Sequence, residues 1–272
     1  MFTIITTGRR FVPVGAIGMA LVWSASVVGA QGKPATGHRP PPAFTVDGDI
    51  ALHSLMSLSD AHLQKLADVL TMLANTDAAR SRDWDTIRGQ LAEAARVNVP
   101  AALWFAMPDG AYWTLTQGRV NASLADRSYF PRLLAGETVI GSLVVSRSTN
   151  RNTAVVAVPI LGQKHEVVGV LGASVHLDTL AALLRAELGG LRGGLLFFAI
   201  DSLPLGALNS DPTLIFTEPM KIGDAGMQRA FKGILSNQEG AVMYDFRGTR
   251  RTVLYRRSAV TGWWYGFGMI HR

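Results

Sequence analysis

The chain has 272 residues, a length that allows one large domain or two small ones. Apolar residues make up 48% and charged residues 17%, so the chain can bury a core and is not intrinsically disordered. The formal net charge of +6 comes without a lysine or arginine run, which argues against a nucleic-acid-binding protein. The absence of cysteine excludes disulfides, thiolate metal sites and a cysteine nucleophile.

The first 30 residues have the pattern of an export signal. Arg9 and Arg10 are followed by an apolar stretch that ends in the small residues Val-Gly-Ala. The sequence therefore predicts a signal peptide over residues 1–30 and a periplasmic or secreted protein. The alternative is an uncleaved membrane anchor, because residues 11–30 are long enough to span a bilayer.

A proline-rich linker over residues 31–49 and a helical lead-in over residues 50–98 come next. Ser59 is predicted to cap the first helix, in which leucines at helical spacing form one apolar stripe. A second helix is predicted to begin near Asp83. We expect the lead-in to pack on the domains that follow; the alternative is a partner-binding coiled coil.

From about residue 99 the pattern changes to short strands, and it occurs twice. The first half is predicted to hold a strand pair, a short helix capped by Ser128, a three-stranded meander and a helix. The second half is predicted to hold a strand, a loop over residues 201–212, a short extended segment at Thr213–Phe216, a helix and three closing strands. This internal repeat predicts an α+β fold in which each half is an antiparallel sheet with helices. The chain ends at its last predicted strand, so no output domain is expected.

The search for catalytic chemistry is negative. The histidines are scattered without metal-ligand spacing, and there is no nucleophile elbow, phosphate loop or dinucleotide fingerprint. The aspartates lie at turns and helix starts, where aspartate is usual for backbone reasons. The sequence therefore predicts a protein that is not an enzyme and has neither metal nor cofactor, and an unrecognised hydrolase is the disfavoured alternative.

Several segments resemble the double Cache family, the extracytoplasmic sensor domains of chemoreceptors and histidine kinases. In the first half these are ADRSYFPRLLAGE, VVSRSTNRNTAVVAVPI and EVVGVLGASVHLDTL, and in the second half FFAIDSLPLGALNSDPTLIF and EGAVMYDFRGTRRTVLYRRSAVTGWWYGFGM. The resemblance covers about residues 50–272. It implies a long amino-terminal helix followed by two PAS-like modules, each an antiparallel sheet flanked by helices. Residues 99–190 would be the membrane-distal, ligand-binding module, and residues 191–272 the membrane-proximal one.

The resemblance also implies a ligand site in the first module. Arg127 matches the family arginine that often holds a ligand carboxylate, and a guanidinium fork fits a carboxylate. Tyr129 and Phe130 match an aromatic pair that is normally Trp-Tyr. Ser174 stands where amino-acid binders have the aspartate that pairs with the α-amino group. An organic acid or another small anion is therefore favoured over an amino acid.

Further predicted lining residues are Trp104, Tyr112, Ser146 and Arg147. Tyr112 is preferred to Trp113, since neighbours on a strand point to opposite faces. For Arg147 the alternative is a surface arginine at a strand end. Asp126 is expected to orient Arg127 or to cap the helix.

The sequence thus predicts an exported small-molecule-binding sensor module that relays its signal to a membrane receptor or histidine kinase. The alternative is a protein–protein interaction scaffold with a vestigial pocket. Trp263 and Trp264 are expected to be core and rim of the second module rather than a second ligand box.

Overall fold

The computed structural model describes residues 45–189 and 194–271 together with the pair Phe2–Thr3. Phe2–Thr3 pairs antiparallel with Thr45–Val46 in a unit that ends at Val46. The rest of the predicted signal peptide and residues 31–44 of the predicted linker lie outside the described residues. The second unit begins at Asp47 and contains a six-stranded sheet, a five-stranded sheet and the helices named below.

Three helices precede the sheets: α1 at Gly48–Ala74, α2 at Asp77–Arg80 and α3 at Trp84–Arg96. The predicted cap at Ser59 is wrong, because Ser59 is buried inside α1 and the carboxylate of Asp47 caps that helix. The prediction that Asp83 starts a helix is confirmed, since its carboxylate accepts the Thr86 N–H at 3.0 Å. In the described part of the chain, no helix combines the length and the apolar character needed to cross a membrane.

The first sheet has six strands: β1 Ala101–Ala106, β2 Ala111–Thr114, β3 Gly118–Ser123, β4 Val139–Val145, β5 Asn152–Leu161 and β6 Val167–His176. All are antiparallel to their neighbours, and their order across the sheet is β3-β2-β1-β6-β5-β4. Helix α4, Phe130–Leu134, lies between β3 and β4, and helix α5, Leu177–Glu187, follows β6. The predicted Ser128 cap is wrong, because α4 begins at Phe130 after Tyr129 with no side-chain cap.

The second sheet and its helices are formed by β7 Leu195–Ile200, β8 Gly206–Asn209, α6 Pro219–Ile222, α7 Ala225–Ser236, β9 Glu239–Phe246, β10 Thr249–Arg257 and β11 Trp264–His271. Its five strands are antiparallel, in the order β8-β7-β11-β10-β9. Strand β8 lies inside the predicted loop. The predicted extended segment after it instead overlaps a 3₁₀ turn at Pro212–Leu214.

The two sheets repeat one strand order. Without the extra edge strand β3, the first sheet runs β2-β1-β6-β5-β4, and the second runs β8-β7-β11-β10-β9. In each sheet, the first strand of an initial hairpin pairs with the last strand of a three-stranded meander. The predicted α+β class, with a long first helix and two antiparallel sheets with helices, is confirmed.

One apolar core joins α1 to both sheets. Leu63, Leu66 and Leu70 are fully buried along α1, and the same cluster contains Phe105 from the first sheet and Phe197 from the second. The leucine stripe that the sequence predicts is therefore the surface on which both sheets pack. Burial of each such side chain stabilises the fold by about 1.5–3 kcal/mol.

A polar contact lies beside this core, between α1 and the second sheet. The Tyr265 hydroxyl donates to Ser59 Oγ at 2.8 Å and to Asp60 Oδ1 at 3.2 Å. The Ser258 hydroxyl donates to Asp60 Oδ2 at 2.8 Å. Burial raises the pKa of Asp60 against the opposing effect of these hydrogen bonds.

Trp263 fixes the second sheet against the first. Its indole Nε1 donates to the carbonyl oxygen of Gly141 in β4 at 2.9 Å, and its side chain is fully buried. Gly141 has φ of +88°, and the ladder between β4 and β5 shifts register there. Trp263 is a core residue as predicted. Trp264 is not at a rim but is also buried, with Nε1 donating to the Asn237 carbonyl at 2.8 Å.

We expect Leu66→Ala to lower the free energy of unfolding by about 2–5 kcal/mol, because the cavity it leaves lies in the core shared by both sheets. Met72→Ala on the same helix is the matched control, since Met72 is 72% exposed and its loss should stay within about 0.5 kcal/mol. Urea unfolding measures both. Equal losses would contradict the role of the stripe.

Candidate functional site

An aromatic cluster covers the face of the first sheet that points away from the core around α1. We call it the outer cluster; its large members are Trp104, Tyr112, Tyr129, Phe130 and Leu133. Trp113 lies on the opposite face and stacks on Phe105 with ring centroids 5.8 Å apart. Tyr112 and not Trp113 therefore faces the outer cluster, as strand alternation predicts.

Gly172 makes room for Trp104 in this cluster. The two residues are register partners on β6 and β1. A Cβ atom at Gly172 would lie 2.1 Å from the indole. The missing side chain therefore allows the indole to lie flat against β6.

Arg127 lies in the turn before α4, beside the outer cluster. Backbone hydrogen bonds from Arg127 N–H to Leu124 and from Phe130 N–H to Arg127 form this turn. The guanidinium Nη2 donates to the Val145 carbonyl at 2.7 Å. Its Nε is buried and has no hydrogen-bond partner among the described residues.

Arg147 is held by Asp126. Its two terminal nitrogens donate to the two carboxylate oxygens at 2.6 and 2.7 Å, and Nη1 also contacts the Ser123 carbonyl. The hydrogen bond from Arg147 keeps the pKa of Asp126 below its usual value. The expectation that Asp126 orients Arg127 or caps the helix is therefore wrong. Because both terminal nitrogens of Arg147 are bonded to Asp126, this residue fits the alternative interpretation of a surface arginine at a strand end.

Two tyrosine hydroxyls lie near these arginines. The Tyr112 hydroxyl is buried, with the Ser148 hydroxyl as its hydrogen-bonding neighbour. Burial raises the pKa of Tyr112, and it raises that of Tyr129 to about 12. Both hydroxyls therefore keep their protons at neutral pH and can act as donors.

Ser174 and Ser146 occupy different places. Ser174 is buried on β6, between its register partners Ala102 and Val155, on the face of the outer cluster. The Ser146 hydroxyl accepts the Thr149 N–H at 3.3 Å and therefore helps to form the turn between β4 and β5. The structure thus brings Trp104, Tyr112, Tyr129, Phe130, Ser174 and Arg127 to one face, and leaves Ser146 and Arg147 in the adjoining turn.

Sequence reasoning missed a charged group at the end of β6. Arg151 donates to both oxygens of Asp178 at 2.7 and 2.6 Å and lies 2.8 Å from His176 Nδ1. Burial, followed by the charge of Arg151, lowers the pKa of His176. No spacing along the chain indicates this contact, because the pairing of β5 with β6 brings its members together. Within the described ranges, no three histidine, aspartate or glutamate side chains are grouped as a metal site.

The architecture of this chain is similar to that of several solved structures. No protein-family model matches the chain, and no curated protein sequence matches it. Among solved structures, the ligand-binding domain of the Pseudomonas aeruginosa PAO1 amino acid chemoreceptor PctB matches with a TM-score of 0.64. The match has 14% identity and covers 82% of this chain and 94% of that chain. This is the double Cache fold.

Two further double Cache structures agree. The ligand-binding domain of the Pseudomonas fluorescens chemoreceptor CtaA matches with a TM-score of 0.62 at 14% identity, over 82% of this chain and 89% of that chain. The periplasmic sensory domain of the Campylobacter jejuni chemoreceptor Tlp1 matches with a TM-score of 0.56 at 16% identity, over 82% of this chain and 90% of that chain. The PctB structure is a complex with L-Arg, and the CtaA structure is a complex with L-isoleucine.

We expect Gly172→Ala to destabilise the protein by about 1–3 kcal/mol, because the new methyl group overlaps the Trp104 ring. Gly233→Ala in α7 is the control, since no atom lies within 4 Å of a Cβ placed there. Chemical unfolding gives the stability, and tryptophan near-ultraviolet circular dichroism reports the displaced ring. A Gly172 variant as stable as the control, with an unchanged spectrum, would contradict this packing.

Proposed function

We propose that this chain is an exported sensor module that binds a small carboxylate at the outer cluster of its first sheet. The double Cache fold supports small-molecule sensing outside the cytoplasm. In this proposal residues 99–190 form the ligand-binding module, and residues 191–272 form the membrane-proximal one. The bound state is relayed to a membrane receptor or histidine kinase.

The observation that carries the proposal is a buried cationic donor without an acceptor. Arg127 Nε lacks a partner among the described residues, and the buried Tyr112 hydroxyl has the neutral Ser148 hydroxyl as its neighbour. A buried donor left unpaired costs about 1–3 kcal/mol, and more when it is charged. A carboxylate oxygen is the acceptor that relieves this cost most, because a charge-assisted hydrogen bond is stronger than a neutral one.

The charge balance also favours an anion. Asp126 is occupied by Arg147, and no ion pair within the described ranges involves Arg127. Arg127 therefore brings an uncompensated positive charge to the cluster. A ligand that carries one negative charge neutralises it.

The opposite end of the site favours an acid without an amine. Ser174, a neutral side chain, lies on the cluster face of β6. The nearby Asp178 is paired with Arg151. An ammonium group placed here would lack a dedicated carboxylate, so an organic acid is preferred to an α-amino acid.

A second candidate function rests on how closed the outer cluster is. Trp104 and Tyr112 are each only 2% exposed, and Tyr129 is 4% exposed. A face that is already covered favours an interaction module whose pocket is vestigial and which docks a receptor through other surfaces. A stable complex that survives Arg127→Gln and Tyr129→Ala would favour this candidate.

We expect Arg127→Gln to abolish thermal stabilisation by organic acids of four or more carbons. A ligand at 100 times its Kd adds about 2.7 kcal/mol to the native state, which for a chain of this size raises Tm by roughly 5–10 °C. A thermal-shift screen of mono- and dicarboxylic acids and amino acids measures this. Arg88→Gln is the matched control, because Arg88 is exposed on α3 and pairs only with Asp85.

An organic acid of four or more carbons whose shift is equal in the two variants would refute the role of Arg127. A wild-type protein that responds to neither class of compound would refute the carboxylate proposal as a whole.

We expect Ser174→Asp to change the ligand class. The new carboxylate supplies a partner for an ammonium group, so α-amino acids should gain at least about tenfold in affinity, which corresponds to 1.4 kcal/mol. Organic acids should bind more weakly, because a second negative charge then lies near them. Calorimetric titration of both classes against the variant and the wild type tests this, and an unchanged ranking would show that Ser174 does not contact the ligand.

A further inference from the structure

The second sheet encloses a cavity of its own on the face that α7 covers. Its volume is about 30 Å³, and its walls include the aromatic residues Phe198, Phe231, Tyr244 and Phe246. A cavity needs about 10–15 Å³ to hold a water molecule, so this one is larger than a single water site but admits only a small ligand.

One charged side chain lines this apolar cavity. Arg251 extends from β10, opposite Tyr244 on β9, and its guanidinium carbon lies 4.7 Å from the centroid of the Phe246 ring. Its Nε is buried and has no hydrogen-bond partner among the described residues. The unpaired N–H therefore lies at an enclosed space rather than in solvent.

The acidic groups around this cavity are already occupied. Asp245 pairs with Arg250, and Asp224 caps α7 by accepting the Met227 N–H. Asp211 accepts from Arg247 and from Thr213. No ion pair in the described ranges includes Arg251, so its positive charge lacks a protein counter-ion.

We propose that this cavity is a second ligand site, which binds a carboxylate of two or three carbons through Arg251. The carboxylate accepts from Nε and neutralises the guanidinium, and the short alkyl group fills the space between the aromatic rings. An aromatic or longer acid does not fit. A charged carboxylate binds in such an apolar setting because the paired guanidinium compensates for its lost hydration.

An access path adjoins the cavity. An open cleft of about 550 Å³ shares Leu214, Thr217, Ile222 and Phe246 with the cavity lining. Arg247 also lines this cleft, where it pairs with Asp211, and Asp224 and Asp245 line it as well. The shared side chains lie between the cleft and the cavity.

This second site does not depend on the first. Every residue that lines it belongs to the second sheet or to the helices and connecting segments between its strands, whereas the proposed carboxylate site lies on the first sheet. The two sites therefore respond to different substitutions.

The test is calorimetric and thermal-shift titration of the full chain with sodium acetate and sodium propionate, against sodium chloride at equal ionic strength. Arg251→Met removes the guanidinium and keeps a long apolar side chain. Arg250→Met is the matched control on the neighbouring residue, whose side chain is exposed and pairs with Asp245. Arg127→Gln reports on the first site.

We expect acetate and propionate to raise Tm in the wild type, in Arg250→Met and in Arg127→Gln, and to bind Arg251→Met at least tenfold more weakly. Sodium benzoate should give no shift that depends on Arg251. Without ligand, Arg251→Met should melt close to the wild type, because it removes an unpaired buried N–H together with the favourable contact of the guanidinium with the Phe246 ring. Should that variant fail to fold, Arg251→Lys keeps the charge without the planar fork and should also weaken acetate binding.

Three results would overturn the proposal. The first is the absence of any acetate or propionate effect on the wild type. The second is an effect that Arg127→Gln abolishes and Arg251→Met retains, which would place binding in the first module. The third is benzoate binding equal to acetate binding and lost in Arg251→Met, which would contradict the small enclosed site.

Discussion

The burial of one helix against two sheets is the constraint on which the rest of this structure depends. Helix α1 has 27 residues, so at 1.5 Å per residue it is about 40 Å long and can reach both sheets. Its leucines share a core with Phe105 and Phe197, one from each sheet. The inner face of each sheet is packed against α1, which leaves the outer faces uncovered by that helix. Both candidate sites lie on those outer faces.

Much of the fold follows from local patterns, and the exceptions have tertiary causes. Asp83 caps a helix as the sequence indicates, whereas Ser59, an equally good cap by type, lies inside α1, which begins after Asp47, and Ser59 contacts Tyr265. Strand β3, with sequence GRVNAS, carries little apolar alternation and exists as an edge strand paired to β2. Strand β8 lies among turn-forming residues and depends on pairing with β7.

The candidate site, like the fold, follows in part from local patterns and in part from tertiary contacts. The alternation along β2 predicts the face on which Tyr112 lies, which is the face of the outer cluster, because a strand period is a local property. The partner of Arg147 was not predictable, since Asp126 and Arg147 are brought together only when the turn before α4 packs beside the end of β4. The unpaired Nε atoms of Arg127 and Arg251 could not be predicted either. An absent partner is a property of the folded surroundings, and it is what distinguishes these two arginines from those that form surface ion pairs.

The contact between Trp263 and Gly141 has a consequence for the integrity of the first sheet. Strand β4 is an edge strand, and its sequence VIGSLVV is apolar and β-branched, the type of segment that pairs with other chains when exposed. The bulge at Gly141, with the Trp263 indole on its carbonyl, interrupts that edge. Without the second sheet, the first sheet would lose this cover and expose a strand prone to aggregate. The second sheet therefore protects the first against self-association.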